Sequence, residues 1–390
     1  MTITEAMVKE GTRLPLPPGW RWVRLGDITQ IATGGTPSTS HSEYYGGEIH
    51  WLTSGDVKGT RIYDVPNRIT QLGLNNSNAK VHPSGSVMLA MSGQGKTRGT
   101  SAILMVPSSC SQSVAAILPT TEALPEIIHF SLVGLYGNIR RITGDNERTG
   151  LNLKLIQKIE IPLPPLVEQA RIARILDEQM VSVEKARAAA KVRLEAAKAL
   201  PAAYLRTVFE SEETKEWQHR RLGDVLRVKS GSFLPANSMN TSGKYPVYGG
   251  NGINGYHDSF MFEEPKIIIG RVGAQCGCIC VSEPYSWITD NALYVSEKLI
   301  PFENEFMALL LTQLDLNGKA NSMAQPLVTG KIIYDVEVPL PNTDKQKQIA
   351  IILTDRFDAT ENLSAGIEGE LRTINALPTA LLRQAFSGGL

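Results

Sequence analysis

The glycine-rich stretch at residues 90–97, AMSGQGKT, has the residue types that could hold a nucleotide phosphate. In such a loop the backbone amides surround the phosphate and a lysine, here Lys96, reaches it. A phosphate loop leads into a helix, whereas the next residues, RGTSAILMVP, predict a strand. The corresponding turn in the second half of the chain, GRVGAQCGC at 270–278, has no lysine. The sequence therefore favours a polar hairpin over a nucleotide site.

Three thiols in the stretch CGCIC at 276–280 could ligate a metal ion. If this stretch is a strand, side-chain alternation puts all three on one face. Zinc sites normally need four convergent ligands, and no second Cys or His pair lies nearby in the sequence. The histidines, at 41, 50, 82, 129, 219 and 257, show no spacing typical of a catalytic triad or a metal site. We therefore predict free thiols and no metal site.

Length and composition limit the kinds of protein this can be. A chain of 390 residues is too long for one ordinary core, so we expect two or more domains. No segment approaches the roughly 18 apolar residues of a membrane span, and the N-terminus does not resemble a secretory signal. Four cysteines, too few and too clustered for a disulfide framework, favour the reducing cytoplasm. Taken alone, a formal net charge of zero argues mildly against a protein that binds nucleic acid.

The chain contains a direct repeat. Leu163-Pro164 recurs as Leu340-Pro341, a shift of 177 that also relates Phe209 to Phe386. Upstream, Trp20 and the LGD at 25–27 recur as Trp217 and the LGD at 222–224, a shift of 197. A register kept over some 45 residues indicates a rigid element. The chain therefore alternates between variable and fixed segments.

Each fixed segment is predicted to be a long helix, because its apolar residues recur in steps of three and four. This spacing is typical of a coiled-coil seam, and the alternative is two unrelated amphipathic helices on separate cores. We expect the two helices to pair antiparallel, with Pro201 and Pro378 kinking or ending them. Small residues of the first helix should face large residues of the second, with Ala190 opposite Ile367. The predicted seam comprises Ile172, Leu176, Ala186, Ala190, Leu194, Ile349, Leu353, Leu363, Ile367 and Leu371.

The variable segments are rich in short apolar runs joined by polar turns, which predicts β-rich domains. We expect strands at SVMLAM, SAILMV, KIIIGRV and CICVS, and helices at 124–143 and FMALLLTQL. The predicted fold class is α+β, with two β-rich mixed globular domains separated by two antiparallel coiled-coil helices in a pseudo-twofold arrangement. The predicted domains are 1–155 and 213–337, with helical spacers at 156–212 and 338–390.

In this order, several motifs resemble the specificity (S) subunits of type I restriction-modification enzymes. They are IPLPPLVEQARIARIL before the first helix, the LGD that opens each variable domain, GGTPSTSHSEYYGGEIHWLTSGDVKG in the first and YGGNGINGYHDSF in the second. The second spacer departs from the pattern, since residues 342–346 read NTDKQ where residues 165–169 read PLVEQ. The two spacers therefore share the glutamine, Gln169 and Gln346, but not Glu168.

The resemblance implies that each variable domain recognises one half of a split target in double-stranded DNA. Because the two variable domains differ, the target should be asymmetric. The resemblance also implies that two copies of a methyltransferase (modification) subunit, which uses S-adenosylmethionine, dock on the helices, and that restriction (endonuclease) subunits can be added. This chain has LPPL and LPPG but not the Asn-Pro-Pro-Tyr element of amino-methylating enzymes. We therefore expect a non-catalytic subunit that binds no cofactor, and the alternative is a stand-alone DNA-binding or interaction protein.

Candidate base contacts are polar and aromatic residues of the variable-domain loops, because their side chains can hydrogen-bond to base edges. The alternative for each is a solvated turn residue. In the first domain they are Tyr44, Tyr45, Ser54, Lys58, Arg61, Gln94, Lys96 and Arg98; in the second they are Lys229, Asn237, Lys244, Tyr248, Asn251, Asn254, Tyr256, His257, Arg271 and Gln275.

Overall fold

The computed structural model describes residues 8–9, 12–13, 15–93, 95–142, 150–273, 276–318 and 327–390. The chain forms two compact units. The first unit comprises Met1–Ala190 and Glu370–Leu390, and the second comprises Lys191–Gly369. None of the helices in the described ranges combines the length and apolar character that crossing a membrane requires.

The first unit is built on a five-stranded sheet of order β4-β11-β8-β9-β6 and a three-stranded sheet of order β10-β5-β7. Its strands are β1 (Val8–Lys9), β2 (Thr12–Arg13), β3 (Arg21–Arg24), β4 (Ile31–Thr33), β5 (Tyr45–Leu52), β6 (Arg61–Ile62), β7 (Arg68–Ile69), β8 (Val87–Ala90), β9 (Ser101–Leu104), β10 (Ser109–Cys110), β11 (Val114–Ile117) and β12 (Glu160–Leu163). Its short helices are α1 (Leu25–Ile28), α2 (Gln71–Asn75), α3 (Pro125–Gly134), α4 (Tyr136–Ile142) and α5 (Leu153–Gln157). The predicted strands at SVMLAM and SAILMV and the helical character of 124–143 are confirmed.

The second unit has a four-stranded sheet of order β14-β20-β17-β18 and a three-stranded sheet of order β16-β15-β19. Its strands are β13 (Gln218–Arg221), β14 (Leu226–Ser230), β15 (Tyr245–Gly249), β16 (Gly252–His257), β17 (Ile267–Gly270), β18 (Ile279–Val281), β19 (Trp287–Ile288), β20 (Ala292–Lys298) and β21 (Glu337–Leu340). Two short helices, α7 (Asn304–Gln313) and α8 (Gly330–Tyr334), complete it. The predicted strands at KIIIGRV and CICVS and the helix at FMALLLTQL are confirmed.

Both predicted long helices are present, and their bounds follow the sequence repeat. Helix α6 spans Leu166–Phe209 and helix α9 spans Thr343–Phe386, 44 residues each and 177 positions apart. The strand pair before each helix repeats as well: β12 pairs antiparallel with β3, and β21 pairs antiparallel with β13. The α+β fold with two long helices is therefore confirmed.

The internal repeat places one buried glutamine at the start of each long helix, Gln169 in α6 and Gln346 in α9. Leu124 N–H, at the start of α3, donates to Gln169 Oε1 at 2.8 Å, and Gln169 Nε2 donates to the carbonyls of Pro164 and Glu122, each at 2.9 Å. In the second unit Glu303 N–H, at the start of α7, donates to Gln346 Oε1 at 2.9 Å. Gln346 Nε2 donates to the carbonyl of Pro341 at 2.9 Å. Each glutamine thus binds a short helix to a long one.

Within each unit, segments of α6 and α9 pack antiparallel. In the first unit Ile172 and Leu176 share a core with Leu382 and Ala385. In the second unit the core contains Leu205, Phe209, Ile349 and Leu353, and Lys198 Nζ lies 3.2 Å from Glu368 Oε1.

The prediction that Pro201 and Pro378 could end the helices is wrong, since both helices continue past them. Proline removes one helical hydrogen bond, but the turns that follow it are fixed by burial. Leu205 lies in one core beyond Pro201, and Leu382 lies in the other beyond Pro378.

In the middle of the long helices, at 177–204 on α6 and 354–381 on α9, the buried residues recur every seven positions. They are 183, 190 and 197 on α6 and 360, 367 and 374 on α9, which are equivalent under the shift of 177. The seam prediction is wrong for Ala186 and Leu363, because both are exposed. The spacing of three to four from the buried positions instead selects Arg187 and Ser364, which are half-buried. A search of the sequence for apolar residues misses these two positions because Arg187 and Ser364 are polar. The predicted pairing of Ala190 with Ile367 stays a prediction.

Candidate nucleic-acid interface

A glycine-rich loop joins β8 to β9 in the first unit. Gly93, Gly95 and Gly99 have φ angles of +132°, +61° and +90°, which other residues rarely adopt. Two side chains of α4 hold the loop by donating hydrogen bonds to the loop's backbone carbonyls. Tyr136 Oη donates to Lys96 O at 2.7 Å, and Arg140 Nη1 donates to Arg98 O at 3.2 Å. These two anchoring residues were missed by the sequence analysis, which offered only their place in a predicted helix.

This loop presents the Lys96 side chain to solvent, whereas Arg98 is only 8% exposed. The buried position of Arg98 does not fit the predicted base contact, because its side chain lies within the fold. Gln94 lies outside the described residues. Strand β9 follows the loop, so the helix that a phosphate loop requires is absent from this described segment.

Residues 44–58 place several predicted contacts around β5. The Tyr44 ring stacks on His41 at 4.8 Å, while Tyr45 Oη donates to Pro37 O at 2.5 Å. Both tyrosines are half-buried. Ser54 is half-buried at the start of a short 3₁₀ helix, and Lys58 is exposed just beyond its end. Lys58 and Lys96 are therefore the exposed predicted cations of the described loops in this unit.

Arg61 does not point freely into a loop as the sequence analysis expected. Its guanidinium binds Asp177 of α6 bidentately, at 3.1 and 2.6 Å, and also lies 3.2 Å from Glu126 of α3. The pKa of Arg61 is raised, chiefly by the hydrogen bond to Asp177. With its donors bound to two carboxylates, Arg61 is an internal bridge, and the predicted base contact is wrong.

The hairpin β15-β16 brings together predicted contacts in the second unit. Asn251 is exposed at its turn, and Asn254 and Tyr256 are exposed two residues apart on β16, so that they share a face. His257 is half-buried, and its Nδ1 accepts a hydrogen bond from Ser259 N–H at 3.0 Å. Tyr248 is buried, and its Oη accepts from Glu283 N–H at 3.0 Å. The prediction of a base contact is wrong for Tyr248, because its phenol belongs to the core.

Other predicted contacts surround this hairpin. Lys229, Asn237 and Lys244 are exposed, and Lys244 Nζ lies 5.1 Å from the centre of the Tyr245 ring. Arg271 Nη1 donates to Ser230 Oγ at 3.3 Å, next to Lys229. Gln275 lies outside the described residues.

Phe233, in the loop after β14, is 71% exposed and is not among the predicted contacts. The signal in the sequence is one aromatic residue within the polar stretch SGSFLPANS. An exposed aromatic ring can contact nucleic-acid bases by stacking.

The cysteines do not form the arrangement expected from CGCIC. Strand β18 begins at Ile279, so only Cys280 lies in it; Cys276 is buried in the preceding turn and Cys278 is exposed. Gly277, with φ +84°, reverses the chain between them. The four cysteines are thiols outside disulfide bonds, and the described residues contain no cluster of three or more potential metal ligands.

Comparison with known proteins identifies the family. The profile of the family described as "Type I restriction modification DNA specificity domain" matches residues 17–187 and 214–373, more than half of the chain. A relative, the type I restriction enzyme EcoprrI specificity subunit of Escherichia coli, is 26% identical over 363 residues, covering 87% of this chain and 88% of its own.

Solved structures show the same fold. A chain from a study of complex assembly and conformational transition of the type I R-M system has a TM-score of 0.78 at 22% identity, covering 97% of this chain and 100% of its own. The HsdS subunit from Thermoanaerobacter tengcongensis has a TM-score of 0.64 at 22% identity, covering 97% of this chain and 99% of its own. This chain belongs to the family of type I restriction-modification DNA specificity subunits. It is a DNA-recognition subunit and not a catalytic one.

Proposed function

We propose that the chain reads a split, asymmetric target in double-stranded DNA, one half-site with each of two recognition domains at 1–155 and 213–337. The observation that carries this proposal is a repeated scaffold with unlike surfaces. Both units contain a long helix, the strand pair that precedes it, and a buried glutamine at its start that binds a short helix, which we call the glutamine bridge. The exposed loop residues do not: the described loops of the first unit present Lys58 and Lys96, and the hairpin of the second presents amides. Two different readers on equivalent supports should recognise two different half-sites.

The long helices, with the spacers at 156–212 and 338–390, supply surface for two copies of a methyltransferase subunit. Several apolar side chains on these helices are exposed. Val167 and Val181 are 87% and 53% exposed in the first unit, and Val192, Ile351 and Ile352 are 71%, 63% and 51% exposed in the second. Of these residues, Ile351 and Ile352 are adjacent in the sequence, and adjacent exposed apolar side chains favour a protein-binding surface. The methyltransferase subunits bring S-adenosylmethionine, and restriction subunits can be added to the same assembly.

Recognition by a neutral chain fits this division of labour. Phosphate contacts give DNA binding much of its salt-dependent affinity, and with a net charge of zero this chain can leave much of that task to its partners. Free cysteines and a DNA ligand favour the cytoplasm.

The test is co-expression with a type I methyltransferase subunit from the same genome. We expect one specificity chain and two methyltransferase chains by native mass spectrometry, and methyl transfer from S-adenosylmethionine to DNA that requires both proteins. The variant Ile351→Asp/Ile352→Asp should lose the complex, whereas the exposed polar change Gln348→Asp on the same helix should keep it. Sequence-specific DNA binding without any methyltransferase complex would instead support a stand-alone DNA-binding protein.

A further inference from the structure

An ion-pair cluster joins the recognition sheet of the first unit to its long helix. We call Arg61, Glu126 and Asp177 the Arg61 clamp. Arg61 lies on β6, the edge strand of the five-stranded sheet. Its guanidinium reaches both the first turn of α3 and the side of α6. One side chain therefore connects a sheet edge, a short helix and a long helix.

The clamp is the polar link at a place where close packing is missing. An open cleft of about 440 Å³ lies beside it, lined by Gly59, Arg61, His129, Asp177 and Met180 among others. His129 Nδ1 lies 3.0 Å from Ser101 Oγ on the neighbouring strand β9. Burial, and then the charge of Arg61, lower the pKa of His129 to about 4. His129 is therefore neutral at physiological pH, so Arg61 supplies the positive charge that faces the two carboxylates of the clamp.

The clamp contributes orientation more than stability. The Arg61, Glu126 and Asp177 side chains keep only 24%, 24% and 28% of their surface exposed, so the cost of removing their charges from water offsets part of their attraction. The apolar core that joins α3 to α6, which includes Ile127 and Ile172, supplies the stability. A bidentate arginine-carboxylate pair adds a fixed angle as well as energy. Its removal should leave the unit folded but free the sheet edge to turn over the cleft.

The second unit has no carboxylate on its long helix at the position equivalent to Asp177. The repeat places Thr354 at the position of Asp177 and Phe357 at that of Met180. Phe357 packs on the apolar core there, together with Leu309 of α7. The second recognition sheet is thus supported by apolar contact where the first is supported by charge.

We propose that Arg61 is a positioning residue that fixes the angle of the first recognition domain on its helix, and so limits how many base pairs may separate the two half-sites. This inference rests on the proposed function. A small rotation at the sheet edge moves the loops that carry Lys58 and Lys96 along the DNA. Loss of the clamp should therefore relax the required spacing without changing which bases are preferred.

The test uses the intact complex with its methyltransferase subunits and DNA duplexes whose half-sites are separated by the native gap or by one base pair more or less. Arg61→Gln and Asp177→Asn should each reduce the preference for the native gap about tenfold, the factor that corresponds to roughly 1.4 kcal/mol. The exchanged pair Arg61→Asp/Asp177→Arg should restore part of it. The control Arg174→Gln removes the exposed Arg174–Glu178 pair of the same helix and should leave the preference unchanged.

The outcomes separate the possible errors. If the clamp variants lower the rates on all duplexes equally, or lower the melting temperature with the spacing preference intact, the clamp is merely structural and the inference is wrong. If the wild-type complex methylates no split target at all, the proposed function fails first. Relaxed spacing in the clamp variants, with unchanged base preference within each half-site, is the result that supports the inference.

Discussion

Replacing Gln169 by alanine should destabilise the protein much more than replacing other glutamines of the same helix. Gln169 makes three hydrogen bonds to backbone groups, with Leu124 N–H and with the carbonyls of Glu122 and Pro164. It is 1% exposed, so water does not replace these bonds readily. At about 1 kcal/mol net for each bond, the loss is roughly 3 kcal/mol.

The same reasoning gives a smaller loss for the equivalent residue in the second unit. Gln346 makes two such bonds, with Glu303 N–H and the carbonyl of Pro341, which corresponds to about 2 kcal/mol. For a unit of this size, each kcal/mol lowers the melting temperature by roughly 2–4 °C. We therefore expect decreases of roughly 6–12 °C for Gln169→Ala and roughly 4–8 °C for Gln346→Ala.

Calorimetry of the full chain measures both shifts. The matched controls are Gln179→Ala on α6 and Gln348→Ala on α9, both at exposed positions, which should change stability by less than about 0.5 kcal/mol. Gln169→Glu should be at least as damaging as Gln169→Ala, because a carboxylate accepts but cannot donate to the two carbonyls. If Gln169→Ala melts with the same midpoint as Gln179→Ala, the reasoning about the glutamine bridge is refuted.

Three further predictions concern thiols, pH and nucleotide binding. Cys278 is exposed and should react first with a thiol reagent. Burial raises the pKa of Cys110 to about 12, so Cys110 should stay unlabelled until the protein unfolds. Mass mapping of the labelled peptides measures both. The pKa of His129, lowered to about 4 by burial and then by Arg61, means that the unfolded chain binds a proton between pH 6.5 and about 4 while the folded chain does not. Stability should therefore fall as the pH falls through this range, and urea titrations should show a shallower loss for His129→Gln; an unchanged slope would contradict the lowered pKa. The chain should not bind ATP in equilibrium dialysis, and saturable binding that Lys96→Ala abolishes would restore the phosphate-loop reading.

The long helices could be predicted because the same pattern of apolar residues occurs in both halves of the chain. The repeat at a shift of 177 gives their register, and α6 and α9 begin and end at equivalent residues. The shared glutamine was also visible. Its role was not, because its partner Leu124 lies 45 residues away in the sequence, and the contact depends on how α3 meets α6.

The errors at the candidate site have one physical cause. Residue type predicts a polar side chain in a loop, but the tertiary partners decide whether that side chain faces solvent. Arg61 is bound by Asp177, 116 residues away, and the Tyr248 phenol binds a backbone amide 35 residues away. Asn251 is exposed in the hairpin turn and Asn254 on the strand that follows it, and that kind of exposure is local enough to be read from the sequence.

Mapping DNA methylation in cells tests the central claim most directly. Genomic DNA would be sequenced from cells that carry the methyltransferase subunit with the wild-type chain, without it, or with residues 20–152 replaced by the corresponding domain of a relative. We expect one split motif with two unlike half-sites that disappears without this chain, and the replacement should change one half-site and leave the other. A continuous motif, methylation that does not depend on this chain, or a replacement that changes both half-sites together would contradict two independent readers on one scaffold.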